Sequence, residues 1–147
     1  MKNNLKIRKA NKNDISGLNT LNSRSFEEIT KKLDFSKFID NSNYRIIIAS
    51  KKKDIVGYLL TLKLANNLHE IISIAVDSSH KREGVASSLL SEFLVKEKVN
   101  SKVILEVANK NKAAIKLYKT FLFGVDGVRK DYYKDPPDDA LLMSKII

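Results

Sequence analysis

Apolar and polar positions change period several times along this chain, and each change marks an element. Leu5-Lys6-Ile7-Arg8 alternates apolar and basic residues, the pattern of a first, edge-like strand. Between Asp14 and Asn22, the residues Ile15, Leu18 and Leu21 form a helical stripe, with Asn11 or Asn13 placed as its N-cap. A weaker helical stretch covers about 30–39, anchored by Leu33 and Phe38. Three strands follow, over 44–50, 55–64 and 68–76. The turns Lys51-Lys52-Lys53-Asp54 and Ala65-Asn66-Asn67 separate them, so this part predicts an antiparallel meander.

After Val76 the period lengthens. From Gly84 to Lys98, the residues Val85, Leu89, Leu90, Phe93 and Leu94 fall on one face of an amphipathic helix. The run Val103-Ile104-Leu105-Glu106-Val107 has the character of a buried strand, and a strand reached through a crossover helix lies parallel to the one before it. A short helix capped by Asn111 carries Ala114, Leu117, Tyr118 and Phe121 at helical spacing. Two more strands are expected over 123–129 and 140–146, joined by a polar loop containing Pro136-Pro137-Asp138-Asp139. The whole reads as one α/β domain over residues 1–147, without repeats or linkers.

Composition narrows the chemistry. With 43% hydrophobic and 30% charged residues in 147, the chain can build a core and stay in solution. It has no cysteine, which excludes disulfides, thiol catalysis and thiolate metal sites, and its only histidines, His69 and His80, are too few for most metal cages. The expected chemistry is metal-free and rests on carboxylates, tyrosines, backbone amides or a borrowed cofactor. No apolar run approaches the ~18 residues of a membrane helix, and no signal-peptide pattern follows the basic start, so no membrane partner and a cytoplasmic address are expected.

The net charge of +10 invites a nucleic-acid reading. However, 22 of the 27 basic residues are lysine and five are arginine, alongside abundant Asn and Ile. That mix fits compositional drift at least as well as a phosphate-reading surface, where arginine is favoured, so direct nucleic-acid binding is not the expected main role.

Two stretches concentrate the candidate chemistry. In Ile74-Ala75-Val76-Asp77-Ser78-Ser79-His80-Lys81-Arg82-Glu83-Gly84-Val85-Ala86-Ser87, a strand leads through a basic turn into a helix start made of small residues. The first amides of a helix lack internal partners and carry the positive end of its dipole. A diphosphate fits there when no side chain blocks it, as Gly84 and Ala86 allow, and Lys81 and Arg82 add charge. An ordinary helix start with a solvated basic turn fits the same residues. In the second stretch Glu106 ends an apolar strand, Asn111 opens the next helix, and Tyr118 lies about two turns further on the same face. Singly these suit a solvated strand end, a plain N-cap and a core aromatic; together they gather a carboxylate, an amide and a phenol at a strand's C-terminal edge.

Lys81-Arg82-Glu83-Gly84-Val85-Ala86 resembles the Gln/Arg-x-x-Gly-x-Gly/Ala acyl-CoA loop of the GNAT N-acetyltransferases. Leu105-Glu106-Val107, Asn109-Lys110-Asn111-Lys112-Ala113-Ala114 and Leu117-Tyr118 resemble more narrowly the RimI-type enzymes, which acetylate the N-terminal amine of a small-subunit ribosomal protein. The tail Arg129-Lys130-Asp131-Tyr132-Tyr133, with Asp139-Ala140-Leu141-Leu142-Met143, is similar to the same subgroup.

The resemblance implies a mostly antiparallel twisted sheet of six to seven strands with about four helices, its central parallel pair splayed to bind acyl-CoA. It implies acetyl-CoA as cosubstrate and a protein or peptide N-terminus, such as that of a ribosomal protein, as acceptor. Residue by residue, Ile74, Ala75 and Val76 would offer backbone groups to the pantetheine arm. Arg82, Glu83, Gly84, Val85, Ala86 and Ser87 would hold the diphosphate, and Asn111 would bond the pantetheine. Glu106 would be the general base and Tyr118 the general acid. Tyr132 and Tyr133 would clamp a peptide backbone, although one inward and one exposed ring on an edge strand is an equal reading of that pair. Asp138 and Asp139 would attract a basic substrate segment, or simply be solvated.

The chain departs from the pattern at Lys81, at Ala86, at Leu122, where a Gly is expected after the Tyr118 helix, and at Phe26-Glu27, where Phe-Pro is expected. Gly124 is the residue expected to end that turn instead. Two alternatives stand beside the N-terminal acceptor: a lysine side chain or small amine as acceptor, and a non-catalytic basic module binding RNA or the ribosome.

Overall fold

The computed structural model describes residues 4–26 and 32–147. In chain order its elements are β1 (Leu5–Lys9), α1 (Ile15–Ser25), β2 (Tyr44–Lys51), β3 (Asp54–Ala65), β4 (Leu68–Val76), α2 (Val85–Val95), β5 (Lys102–Ala108), α3 (Lys112–Thr120), β6 (Gly124–Lys134) and β7 (Pro137–Ile146). The strands are hydrogen-bonded in the order β1-β2-β3-β4-β5-β7-β6. The β4–β5 ladder is parallel, running from Leu68↔Lys102 to Ile71↔Leu105, and the ladders β1–β2, β2–β3, β5–β7 and β6–β7 are antiparallel. This is the mixed, mostly antiparallel architecture expected, with three α-helices among the described residues in place of about four.

The missing helix is the stretch expected over 30–39. Residues 30 and 31 lie outside the described ones, and the remainder forms only a short 3-10 turn, Phe35–Lys37, capped by the Asp34 side chain. Its expected anchors Leu33 and Phe38 do pack against the core. The crossover helix also ends earlier than expected, at Val95 in place of Lys98, because Lys96 caps it and Glu97 turns to His69 at 2.6 Å. At the tail, Pro137, Asp138 and Asp139 belong to β7 and not to a loop. Tyr133 pairs with Asp138 and Lys134 with Pro137, so the turn shrinks to Asp135-Pro136. A proline opening a strand costs no ladder bond.

The chain divides into two compact units, one of Met1–Leu62 with Ile72–Lys96, the other of Lys63–Ile71 with Glu97–Ile147. In the first, β2 and β3 are buried on both faces, which is why they read as continuous apolar runs. Ile46, Ile48, Tyr58 and Leu60 face one way and pack with Leu18 and Leu21 of α1 and with Phe35. Gly57 faces the other way, towards α2. A Cβ there would stand 2.7 Å from Val85 Cγ1 and 3.2 Å from Leu89 Cδ1, so the glycine lets the helix lie close to the strand. Asn11 caps not α1 itself but the 3-10 turn Lys12–Asp14 that leads into it, in a capping box with Asp14, which is the N-cap of α1. The Arg8 guanidinium grips Asp14 at 2.8 and 2.9 Å. The hydrogen bonds from Arg8 hold the Asp14 carboxyl below the usual range despite its burial.

In the second unit the odd residues of β5, Val103, Leu105 and Val107, are buried, and Met143 of β7 lies opposite Leu105. Ile104 and Glu106 therefore face the other side. Helix α3 buries Ile115 and Tyr118. Its end is set by Leu122 itself and not by Gly124. Leu122 adopts φ +69°, its amide bonds Lys119 O at 2.9 Å, and the Phe123 amide bonds Tyr118 O at 3.0 Å. This is a Schellman closure, completed by contact of the Tyr118 and Phe123 rings, 5.6 Å apart.

A leucine in the left-handed region is strained, and this one is 79% exposed, so its side chain contributes little burial in return. Leu122→Gly is expected to stabilise the protein by about 1 kcal/mol, read as a shift of the urea midpoint at unchanged slope. No shift, or a loss, would show that the turn does not carry this strain.

Candidate active site

The turn before α2 lies wholly in the first unit. Asp77 follows β4 with its amide on Val56 O at 2.8 Å and caps the short 3-10 turn Ser78–His80 with its side chain. Its bond from the Ser79 amide is the main reason its carboxyl titrates low, and Arg24 approaches it at 3.3 Å. Two left-handed residues follow, Arg82 at φ +67° and Gly84 at φ +78°. Gly84 is the N-cap of α2 and brings no side chain to cap it, so the first helical bond is Ser88 N–H to Gly84 O. Among the described residues the amides of Val85, Ala86 and Ser87 thus begin the helix without a capping side chain, and the position of a Gly84 Cβ is open space. Among the described residues Lys81 and Arg82 make no ion pair.

This donor set fits a diphosphate: bare amides, the positive end of a helix, two uncommitted cations and no blocking side chain. Ala75 is buried in the core with Tyr58, so only its backbone is available to a ligand, whereas Ile74 and Val76 are half-buried. The Glu83 side chain is engaged elsewhere, with Lys51 and His80.

The second unit holds the other candidates. Glu106 is half-buried, with the Arg129 guanidinium at 3.4 Å. Tyr133 is half-buried, and its hydroxyl is pushed up by burial first and then by the negative charge of Glu106. Tyr132 is exposed, its ring lying edge-on to Tyr133 at 5.1 Å with Arg129 over it at 5.1 Å. One ring is thus turned towards Glu106 and the other outward.

Tyr118 is 4% exposed, and burial pushes its hydroxyl well above the ordinary phenol range. Among the described residues the fully buried side-chain oxygens all have partners, and the Tyr118 hydroxyl has none, so it is not completely enclosed. Asn111 caps α3 through its Oδ1, which accepts from the Ala114 amide at 3.2 Å. Asp138 and Asp139 are structural: they accept from the amides of Lys110 at 2.7 Å and Asp131 at 2.8 Å, tying the Asn111 turn to β7. Phe26 packs against the core of the first unit, and Glu27 lies outside the described residues.

One residue escapes the sequence reading. Glu70 of β4 stands opposite Ile104, so it shares a face with Glu106. Burial raises its carboxyl, and the charge of Glu106 adds to the effect. The available signal was an acidic residue in an apolar strand, but pairing it with Glu106 requires the β4–β5 register.

Residues 15–123 match the acetyltransferase (GNAT) family, and the chain belongs to that family. It is an N-acetyltransferase of the GNAT type, and acetyl-CoA is the acyl donor that such enzymes use. An N-alpha-acetyltransferase of Sulfolobus acidocaldarius is 32% identical over 155 residues, covering 96% of this chain and 92% of that one. The ribosomal protein bS18-alanine N-acetyltransferase of Escherichia coli is 32% identical over 78 residues, which span 50% of this chain and 53% of that protein. The crystal structure of the Escherichia coli ribosomal-protein-S18-alanine N-acetyltransferase shares the fold, with a TM-score of 0.86 at 23% identity over 97% of this chain and 94% of that one. No helix among the described residues is long and apolar enough to cross a membrane.

A carboxyl titrating above its ordinary value loses stability for the fold as pH rises through that raised value, and the loss is absent below the unfolded range. Glu70→Gln is therefore expected to equal the wild type in urea midpoint near pH 3 and to exceed it at pH 7. An equal or lower midpoint at pH 7 would show that Glu70 is not held in a disfavoured charged state.

Proposed function

We propose that this acetyltransferase moves the acetyl group of acetyl-CoA to the α-amine at the N-terminus of a protein, with an N-terminal alanine of a ribosomal protein as the first candidate. The observation that carries this reading is the content of the second unit. It offers the Glu106 carboxylate together with Tyr118, a phenol that burial keeps protonated and whose hydroxyl is not tied to another group among the described residues. The names of the Sulfolobus acidocaldarius and Escherichia coli relatives favour an N-terminal acceptor.

The amine must lose a proton to attack, and a free α-amine, with a pKa near 8 in peptides, gives it up far more readily than a lysine near 10.4. In this reading Glu106 takes that proton, directly or through water, and Arg129 holds the carboxylate in place. Acetyl-CoA supplies the thioester. Tyr118 donates its hydroxyl proton to the departing thiolate, and the raised position of that phenol means the proton is still present at neutral pH. The amides of Val85, Ala86 and Ser87, with Lys81 and Arg82, hold the diphosphate, while Ile74 and Val76 offer backbone groups and Asn111 its amide to the pantetheine arm. Tyr132 and Tyr133 flank the incoming chain, and the negative surroundings formed by Glu70 and Glu106 favour its ammonium.

Acetyl-CoA at about 100 times its Kd is expected to stabilise the protein by about 2.7 kcal/mol, read as a rise in Tm. In a peptide panel, acetylation is expected at a free N-terminal alanine. Transfer only to lysine side chains or small amines would overturn the acceptor assignment.

Glu106→Gln is expected to lower kcat by roughly 10²- to 10⁴-fold. Tyr118→Phe is expected to lower kcat while acetyl-CoA still raises Tm. Full turnover in either variant would remove that residue from the mechanism.

A further inference from the structure

Glu83 directly precedes Gly84, the N-cap of α2, and its side chain makes no cap at that helix start. Negative groups are drawn to the start of a helix, where free amides and the dipole both favour them. The amides of Val85, Ala86 and Ser87 have no capping side chain, and a free Glu83 could fold over to serve them. It does not. Its Oε1 accepts from Lys51 Nζ at 2.5 Å and lies 3.1 Å from His80 Nδ1. Lys51 is the last residue of β2, and His80 ends the short 3-10 turn after β4, so the carboxylate is drawn from two elements outside the helix. The same two partners hold its carboxyl below the usual range, keeping it charged and engaged at neutral pH.

Resting on the reading of this turn as the diphosphate site, we infer that Lys51 and His80 are positioning residues that restrain Glu83 from occupying the phosphate site at the start of α2. The chain carries a built-in competitor one residue from its own anion site, and the restraint keeps the site open. Lys51 and His80 need not touch the ligand. They act through Glu83, whose release would place a carboxylate where the diphosphate binds and add repulsion against it.

The test separates this role from direct phosphate contact. Binding of acetyl-CoA and of inorganic pyrophosphate is measured by calorimetry, with KM and kcat for acetyl-CoA alongside. Unliganded melting of each variant is recorded, and Lys51→Arg is included as a variant that keeps the tethering charge. In Lys51→Met/His80→Ala, Kd and KM are expected to rise roughly three- to tenfold with kcat little changed. Adding Glu83→Gln to that pair is expected to return both to within about twofold of the wild type, because the competitor is then gone. Lys51→Arg is expected to bind as the wild type does.

Unchanged binding in the double variant overturns the inference. Weak binding that persists after Glu83→Gln also overturns it, since Lys51 or His80 would then be contacting the phosphates directly. If the wild type binds pyrophosphate with the expected pattern but not acetyl-CoA, the reading of the function fails and the restraint stands. If it binds neither, both fall.

Discussion

The amides left bare at the start of α2 are the constraint around which the first unit is arranged. A helix start normally recruits a Ser, Thr, Asp or Asn to serve those donors, and here the N-cap is Gly84, in a left-handed conformation with nothing to offer. The neighbouring groups keep it that way. Asp77 accepts from the Ser79 amide and meets Arg24, and Glu83 is held by Lys51 and His80. Arg82 accepts a strained left-handed backbone in the same turn. Local stability is given up in this turn while its amide donors stay available.

The second unit is organised by the opposite problem, an excess of negative charge on one face. Glu70 and Glu106 lie on the same side of the parallel ladder, and Tyr133 feels the charge of Glu106. Burial and mutual repulsion raise Glu70, whereas Arg129 sits against Glu106 as its counter-ion. Buried Tyr118 shows the same low-dielectric effect on a phenol, where it secures the proton. The carboxylates of Asp138 and Asp139 are bound to backbone amides and shape the Asn111 turn instead of adding to that charge.

Much of the fold was legible because its elements announce themselves locally. The alternation in β1, the apolar runs of β2, β3 and β5, the stripe of α2 and the Asn111 cap each follow from a period or a capping residue. The differences fell where a distant partner, or at Leu122 a ring contact across the helix end, overrides the pattern of residue types. Helix α2 stops at Val95 because Glu97 meets His69, 28 positions earlier in the chain. Pro137-Asp138-Asp139 reads as a loop by composition but is a strand because β6 pairs with it. Leu122 takes the left-handed turn that composition would assign to a glycine, because the Tyr118–Phe123 contact closes the helix there.

The residue types of the candidate site were likewise written in the chain: Gly84 and Ala86 at a helix start, Glu106 at a strand end, and Asn111 and Tyr118 two turns apart. Types and spacings are local, and side-chain chemistry travels with them. Tertiary structure alone decided which charges meet, because Coulomb and hydrogen-bond terms depend on distances that sequence separation does not report. Glu70 joined Glu106 through strand register, Arg129 came to Glu106 across β7, and Lys51 reached Glu83 over 32 residues. Those pairings determine which side chains are free to meet a ligand and which are already occupied.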